Sequence, residues 1–281
     1  PVLLDVDPDT LNISPAAVEA AIADGIDALM VVHFAGTPVD RAVFDLAAEA
    51  GIPVIEDAAH ALGTSDHRGP VSGAGTVGAC YSFYATKNLT SAEGGALATH
   101  DDELARYART QRLHGLTNDA WGRYRVGANP EYDVAEPGLK ANLPDVLAAL
   151  AHSQLARFDD MQARRREVVQ RYRAGVQEIP GCRVVPGEPD DRSADHLFVI
   201  VLPDATTADV AALNSAAQAA LVDPLGHVGM LLGREGDASG VHAVVLGGVQ
   251  DQRSPPAADV EQPHPRLQIE LAADQIELVA L

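Results

Sequence analysis

The sequence predicts an α/β protein: a mostly parallel sheet flanked by helices over residues 1–140, then a smaller α+β unit over residues 141–203. Three observations carry this reading. Short apolar runs alternate with segments of helical spacing as far as about residue 113, the pattern of strands joined by right-handed crossover helices. The runs at 28–34 and 52–55 lack the polar alternation of a half-solvated strand, and so predict strands covered on both faces. Beyond residue 203 the composition changes: residues 204–281 contain none of the 12 aromatic residues, no Lys, three arginines and 11 acidic residues. That shift marks a boundary, and the segment beyond it reads as atypical, either disordered or the product of a shifted reading frame.

Taken in order, residues 2–6 are apolar apart from Asp5 and are closed by Asp7-Pro8, a strand followed by a turn. Ser14-Pro15 starts a helix, with a Ser cap and Pro at the first helical position. Residues 28–34 form the second strand, and Gly36-Thr37-Pro38 turns the chain into a helix over about 40–50 with Val43, Phe44 and Ala47 on one side. Residues 52–55, 77–84 and 95–99 are the third to fifth strands. A helix follows over about 101–113, its amino end favoured by Asp101-Asp102. Residues 114–137 are punctuated by Gly, Asn and Pro and hold Trp121, so they read as a functional or interface loop. Pro144 starts a long helix with Leu147, Leu150, Phe158 and Met161 near helical spacing. Residues 183–186 and 196–202 are two strands of the smaller unit, and residues 205–222 and 267–281 have helical composition.

Composition limits the function. A formal charge of −20 and a pI near 4.7 oppose nucleic-acid binding, because a polyanion is repelled by such a chain. Cys80 and Cys182 are far apart and fit no metal or redox motif, which predicts buried free thiols in a reducing cytosol. The histidines show no metal-ligand spacing, so no metal is expected. No apolar run reaches membrane-spanning length, and the expected location is the cytoplasm.

In parallel sheets ligands bind beyond the carboxyl ends of the strands. Those ends carry His33, Glu56-Asp57 and the stretch Ser82-Phe83-Tyr84-Ala85-Thr86-Lys87-Asn88. Lys87 and Lys140 are the only lysines, against 18 arginines. Where this chain needs a surface cation it uses Arg, whereas only an amine can lose its proton and attack a carbonyl. Lys87 is therefore a candidate Schiff-base lysine, with an ordinary loop lysine as the alternative. Asp57 caps the next helix or faces a ring nitrogen of a cofactor. Pyridoxal phosphate needs that acid together with an amine for its aldehyde and hydroxyl donors for its phosphate.

The motifs Ile55-Glu56-Asp57-Ala58-Ala59-His60-Ala61, Ser82 to Asn88 and Ala92-Glu93-Gly94-Gly95 resemble those of the DegT/DnrJ/StrS-type sugar aminotransferases, which are fold type I pyridoxal-phosphate enzymes. Val32-His33-Phe34-Ala35-Gly36, Leu113-His114-Gly115-Leu116, Asp119-Ala120-Trp121 and Pro137 to Leu143 are most similar to the branch that aminates a UDP-linked 4-keto-pentose in lipid A modification. The resemblance covers about residues 1–202.

This resemblance implies that Lys87 is the Schiff-base lysine and proton shuttle. It implies that Asp57 pairs with the pyridine nitrogen, that His60 lies beside the ring near the phenolic oxygen, and that Ser82 donates to the phosphate. Asn142 then reaches the phosphate of a partner subunit's cofactor in a homodimer, or else caps the helix after Pro144. His33, His114 and Trp121 line the sugar-nucleotide cleft or simply pack. The implied reaction moves an amino group from glutamate to a nucleotide-linked 4-keto sugar. The family's sugar dehydratases carry histidine in place of Lys87, which favours transamination here. The resemblance also implies roughly a hundred residues of the family's large domain ahead of the position matched by Pro1. A non-catalytic remnant of such an enzyme is the alternative. A nucleotide-binding module without catalysis would need a Gly-rich phosphate loop, which the sequence lacks.

Overall fold

The computed structural model describes residues 1–116, 134–177, 179–187, 190, 192–202, 206, 208–209 and 212, and the backbone of three later strands at 234–236, 242–247 and 277–280. Helix α1, Pro15–Asp24, starts where Ser14 Oγ accepts the Ala17 N–H at 3.1 Å, and it ends on Gly25 at φ +90. Strand β1, Leu29–Val32, leads through a short turn into α2, Arg41–Ala50, capped by Asp40. Strand β2 is Val54–Asp57. A small hairpin of β3, Ser65–Asp66, and β4, Gly69–Pro70, precedes β5, Gly78–Ser82, and β6, Gly95–Thr99. Helix α3, Asp102–Gln111, is capped by Asp101, which accepts from the N–H groups of both Glu103 and Leu104. Beyond residue 140 follow α4, Asp145–Leu155, α5, Phe158–Gln177, β7, Arg183–Val185, and β8, Leu197–Leu202.

The main sheet runs β1-β2-β5-β6 and ends on β11, Glu277–Ala280. Its pairings β1–β2 and β2–β5 are parallel, whereas β5–β6 and β6–β11 are antiparallel. The antiparallel step follows from the connection: β5 returns to β6 as an extended hairpin, with no crossover helix between them. A second, antiparallel sheet has the order β7-β8-β10-β9, with β9 at Arg234–Gly236 and β10 at His242–Gly247.

Four features differ from the sequence reading. Residues 2–6 form no strand; their one sheet contact is a bridge between Val6 and Ile13. The long helix after Pro144 is two helices, α4 and α5, broken at Ala156–Arg157 without Pro or Gly. The 204–281 segment contributes paired strands, and residues 277–280, read as helix, form β11. Last, β1 is not covered on both faces. Leu29 and Val31 pack with Val43, Phe44 and Val54 beneath α1 and α2, while Met30 and Val32 on the opposite face are exposed. Both helices lie on one side of the sheet, so the alternation of side chains exposes every second residue.

Of the segments read as helix, residues 205, 207, 210–211, 213–222, 267–276 and 281 lie outside the described residues, as does Trp121. Among the described residues no helix is long and apolar enough to cross a membrane.

Candidate active site

The strand period places the site. Successive residues of β2 point to opposite faces, so Glu56 turns toward α2 and Asp57 toward the open face. Glu56 is fully buried and fully partnered. It accepts from His33 Nε2 at 3.0 Å, Arg68 Nη2 at 2.7 Å and Thr76 Oγ1 at 2.8 Å. Burial alone would raise its pKa; the His33 hydrogen bond, the Arg68 charge and the Thr76 hydroxyl outweigh that and hold it below 4.5.

His33 thereby takes its place. It is 0 % exposed, its Nε2 faces Glu56, and its Nδ1 accepts the Val39 N–H at 3.1 Å. Among the described residues it packs in the core with both ring nitrogens engaged.

Asp57 is half-buried, and its Oδ1 accepts the Ala59 N–H at 3.0 Å. Its charge acts on Lys87, His60 and Cys80, which gather at this end of the sheet. Lys87 sits in the β5–β6 connection. Phe83 and Leu89 are buried on either side of it, and the Phe83 carbonyl accepts from Ser91 N–H at 2.9 Å and Thr90 Oγ at 3.1 Å. This anchored turn holds the half-buried amine. Burial lowers the Lys87 pKa below 10.5 against the opposing pull of Asp57.

His60 follows Asp57 by three residues. Burial, and then the Lys87 charge, push its imidazole down to about 4, with Asp57 opposing. Its Nδ1 accepts the Ala35 N–H at 3.3 Å, so the neutral ring carries its proton on Nε2. Ser82 ends β5, half-buried, its Oγ accepting the Tyr84 N–H at 3.3 Å. Asp57, His60, Ser82 and Lys87 therefore share the carboxyl ends of β2 and β5.

The remaining predicted residues sit elsewhere. Asn142 is half-buried in the stretch before α4, where its Oδ1 accepts from Lys140 Nζ. His114 is exposed at φ +60, in a turn held by its N–H to the Leu139 carbonyl at 2.8 Å. Two side chains of the neighbourhood escaped the sequence reading. His196 lies with its ring centroid 4.5 Å from that of His60, and Asn88 Oδ1 faces His196 Nδ1 at 2.8 Å. No local signal marks His196, which is 136 positions from His60; Asn88 lies within the Lys87 motif and was legible only as motif.

Known proteins resemble this chain in sequence and in fold. The family model described as the DegT/DnrJ/EryC1/StrS aminotransferase family matches residues 1–227, beyond the 202 to which the sequence resemblance extended. The spore coat polysaccharide biosynthesis protein SpsC of Bacillus subtilis is 44% identical over 201 residues, covering 71% of this chain and 51% of that protein. The chain thus spans about half the length of this curated relative. Among solved structures, the sugar aminotransferase CalS13 of Micromonospora echinospora superposes with a TM-score of 0.63 at 32% identity, over 76% of this chain and 58% of that one. The PMP form of Spr1654 from Streptococcus pneumoniae, assigned as a sugar aminotransferase, superposes with a TM-score of 0.70 over 88% of this chain and 70% of that one. At 23% identity that match establishes the fold alone. With its fold type I architecture and a family match over more than half its length, the chain belongs to the DegT/DnrJ/EryC1/StrS family of pyridoxal-phosphate-dependent aminotransferases.

Proposed function

We propose that the chain carries the reactive half-site of an aminotransferase that transfers an amino group from glutamate to a nucleotide-linked 4-keto sugar, with Lys87 forming the Schiff base. The observation that carries this reading is the Lys87 amine: partly desolvated, held in a hydrogen-bonded turn, and within electrostatic reach of the Asp57 carboxylate and the neutral His60 imidazole. A surface lysine would have none of these.

The donor set suits pyridoxal phosphate. When bound, this cofactor supplies an aldehyde that an amine can condense with and a ring that takes up the electron pair released at the substrate carbon. Lys87, its pKa lowered by burial, has more of its amine neutral than a free lysine, and so is able to attack a carbonyl and later to carry a proton. The Asp57 carboxylate, with acceptor capacity beyond the Ala59 bond, would hold a proton on the cofactor's ring nitrogen. His60, with its proton on Nε2, would donate to the cofactor's phenolic oxygen, and the Ser82 hydroxyl, whose Oγ accepts the Tyr84 N–H, would donate to the phosphate. Asn142 would serve a partner subunit's site in a homodimer. SpsC, named for polysaccharide biosynthesis, supports a sugar as the amino acceptor.

The test is the visible absorption spectrum of the purified chain with pyridoxal phosphate, before and after borohydride, beside Lys87→Ala. The expected result is a band present only in the wild-type chain and fixed covalently to Lys87 by reduction. A band of equal intensity in Lys87→Ala, or none in either, would overturn the reading in favour of a non-catalytic chain.

A further inference from the structure

Asn88 ties the Lys87 turn to α5 and to the stretch before β8, beside the bond from Thr90 N–H to Gln154 Oε1 at 3.0 Å and the packing of Phe83 and Leu89 with Ala151 of α4. Asn88, next to Lys87, is buried and its carboxamide is fully used. Its Nδ2 donates to the Ala194 carbonyl at 2.8 Å and lies 3.4 Å from Gln162 Oε1; its Oδ1 faces His196 Nδ1 at 2.8 Å. Gln162, on α5, is itself fixed by its Nε2 donating to Ala194 O at 2.8 Å. Ala194 and His196 lie just before β8.

These bonds dictate the tautomers. With the amide nitrogen of Asn88 directed at two acceptors, Oδ1 is the atom left for His196, so the His196 proton sits on Nδ1. His196 also contacts His60, with the ring planes 37° apart, and His60 is turned by the Ala35 N–H so that its proton sits on Nε2. A continuous polar chain thus runs from the Lys87 turn through Asn88 and His196 to His60 and the Ala35 backbone. Asn88, Gln162 and His196 are all buried, where polar groups are costly unless paired, and an apolar cluster would fill the same space without that cost. The groups facing the two rings are Asp57 and Lys87 at His60, and His60, Lys87 and Arg165 at His196.

We propose that Asn88 and His196 are positioning residues for this site: their hydrogen bond clamps the Lys87 turn to the stretch before β8, and the His196 ring holds the His60 ring at its angle. The inference rests on the roles assigned above to Lys87 and His60. Two substitutions separate the two functions of His196. His196→Asn retains a nitrogen donor near the Nδ1 position and loses the ring; His196→Phe retains a ring and loses the donor.

Both are measured in the full chain without pyridoxal phosphate, by two readouts. One is the pH midpoint of amine modification at Lys87, mapped by mass spectrometry. The other is the ¹⁵N shift pattern of the His60 ring. His196→Phe is expected to raise the Lys87 midpoint toward that of an ordinary lysine and to leave His60 in its Nε2–H form. His196→Asn is expected to leave the Lys87 midpoint in place while His60 becomes a tautomer mixture that protonates at higher pH. If the two variants move both readouts together, or move neither, His196 is packing and the proposal falls. Should His196→Phe not fold, as judged by circular dichroism, Asn88→Ser removes the same hydrogen bond from the other side and carries the same expectation for Lys87. Because neither readout needs the cofactor, a wild-type chain without the Lys87-dependent band would overturn the functional reading and leave this comparison standing.

Discussion

Glu56 and Asp57 are neighbours on one strand, with the same chemistry and opposite employment. Glu56 has three side-chain partners and no exposure. Its partner Arg68 also engages Asp66 and lies 4.0 Å over the Phe44 ring, so one carboxylate ties together β1, β2, the β3–β4 hairpin and α2. Asp57 accepts one backbone N–H and otherwise acts through its charge on Lys87, His60 and Cys80. The difference shows what distinguishes a structural acid from an available one. Burial and partner saturation fix the first; partial exposure and spare acceptor capacity define the second.

The sharpest way to break this comparison is to remove each carboxylate in turn. Glu56→Ala leaves the buried His33 Nε2–H and the Thr76 hydroxyl without their acceptor and Arg68 with Asp66 as its remaining carboxylate, and removing one partner of a buried pair costs about 3–5 kcal/mol. Urea denaturation should show that loss. Asp57→Asn keeps an oxygen for the Ala59 N–H, so its stability should stay within about 0.5 kcal/mol of wild type. It should nevertheless lose turnover with any keto-sugar substrate that the wild-type protein accepts. Equal destabilisation by the two substitutions would erase the distinction.

The same contrast divides the pH dependence of stability. His60 is held at about 4 and His196 at about 2, both by burial first, against an ordinary 6.5. With the folded pKa depressed, the unfolded chain binds more protons below 6.5. The stability these rings contribute is therefore complete above 6.5 and is lost as pH falls toward their folded values. Glu56, lowered from 4.5, and Asp66, lowered from 3.8, act only further down, as pH falls through their folded pKa values. The active-site rings should thus set the slope between pH 6.5 and 4.5, and the carboxylates of the ionic cluster should steepen it below. His60→Asn, whose oxygen can accept the Ala35 N–H, should flatten the upper window by an amount on the order of 1–3 kcal/mol across it. Glu56→Gln should flatten only the lower one. Denaturant midpoints measured from pH 3 to 8 check both.

These assignments also show how far the sequence reaches. Asp57, Ser82 and Lys87 were legible because local rules place them: each follows an apolar run that becomes a strand, and such ends converge in a parallel sheet. Helix starts at Ser14, Asp40 and Asp101 were legible through capping. Glu56 was not distinguishable from Asp57, since the alternation fixes that they point apart but not which side receives the helices. His196 was invisible because its meaning arises from contacts with residues 108 and 136 positions away. Met30 and Val32 were read as buried because apolarity reports the preference of a side chain, while exposure depends on which elements pack above it.

Cys80 offers the gentlest probe of the comparison, because it senses the charge of Asp57 without belonging to the site's chemistry. Contrary to the buried thiol expected from the sequence, it is exposed, because it projects from β5 on the open face of the sheet beside Asp57, its register partner. Its thiol is held above its ordinary pKa by partial burial first and then by that negative charge. Below the pKa, thiol–disulfide exchange follows the small thiolate fraction, so removing the charge should raise it. In a Cys182→Ser background, Asp57→Asn should give a modest acceleration of the reaction of Cys80 with an aromatic disulfide reagent at pH 7.5. The acceleration should shrink as pH approaches the thiol pKa, and added salt should diminish the difference, because exposed charge effects are screened. Glu56→Gln, whose side chain lies on the opposite face, should leave the rate unchanged where the fold persists. Equal acceleration by both would mean that the reagent reports loosening of β2–β5 pairing, and the availability of Asp57 would then have to be established by the cofactor spectrum alone.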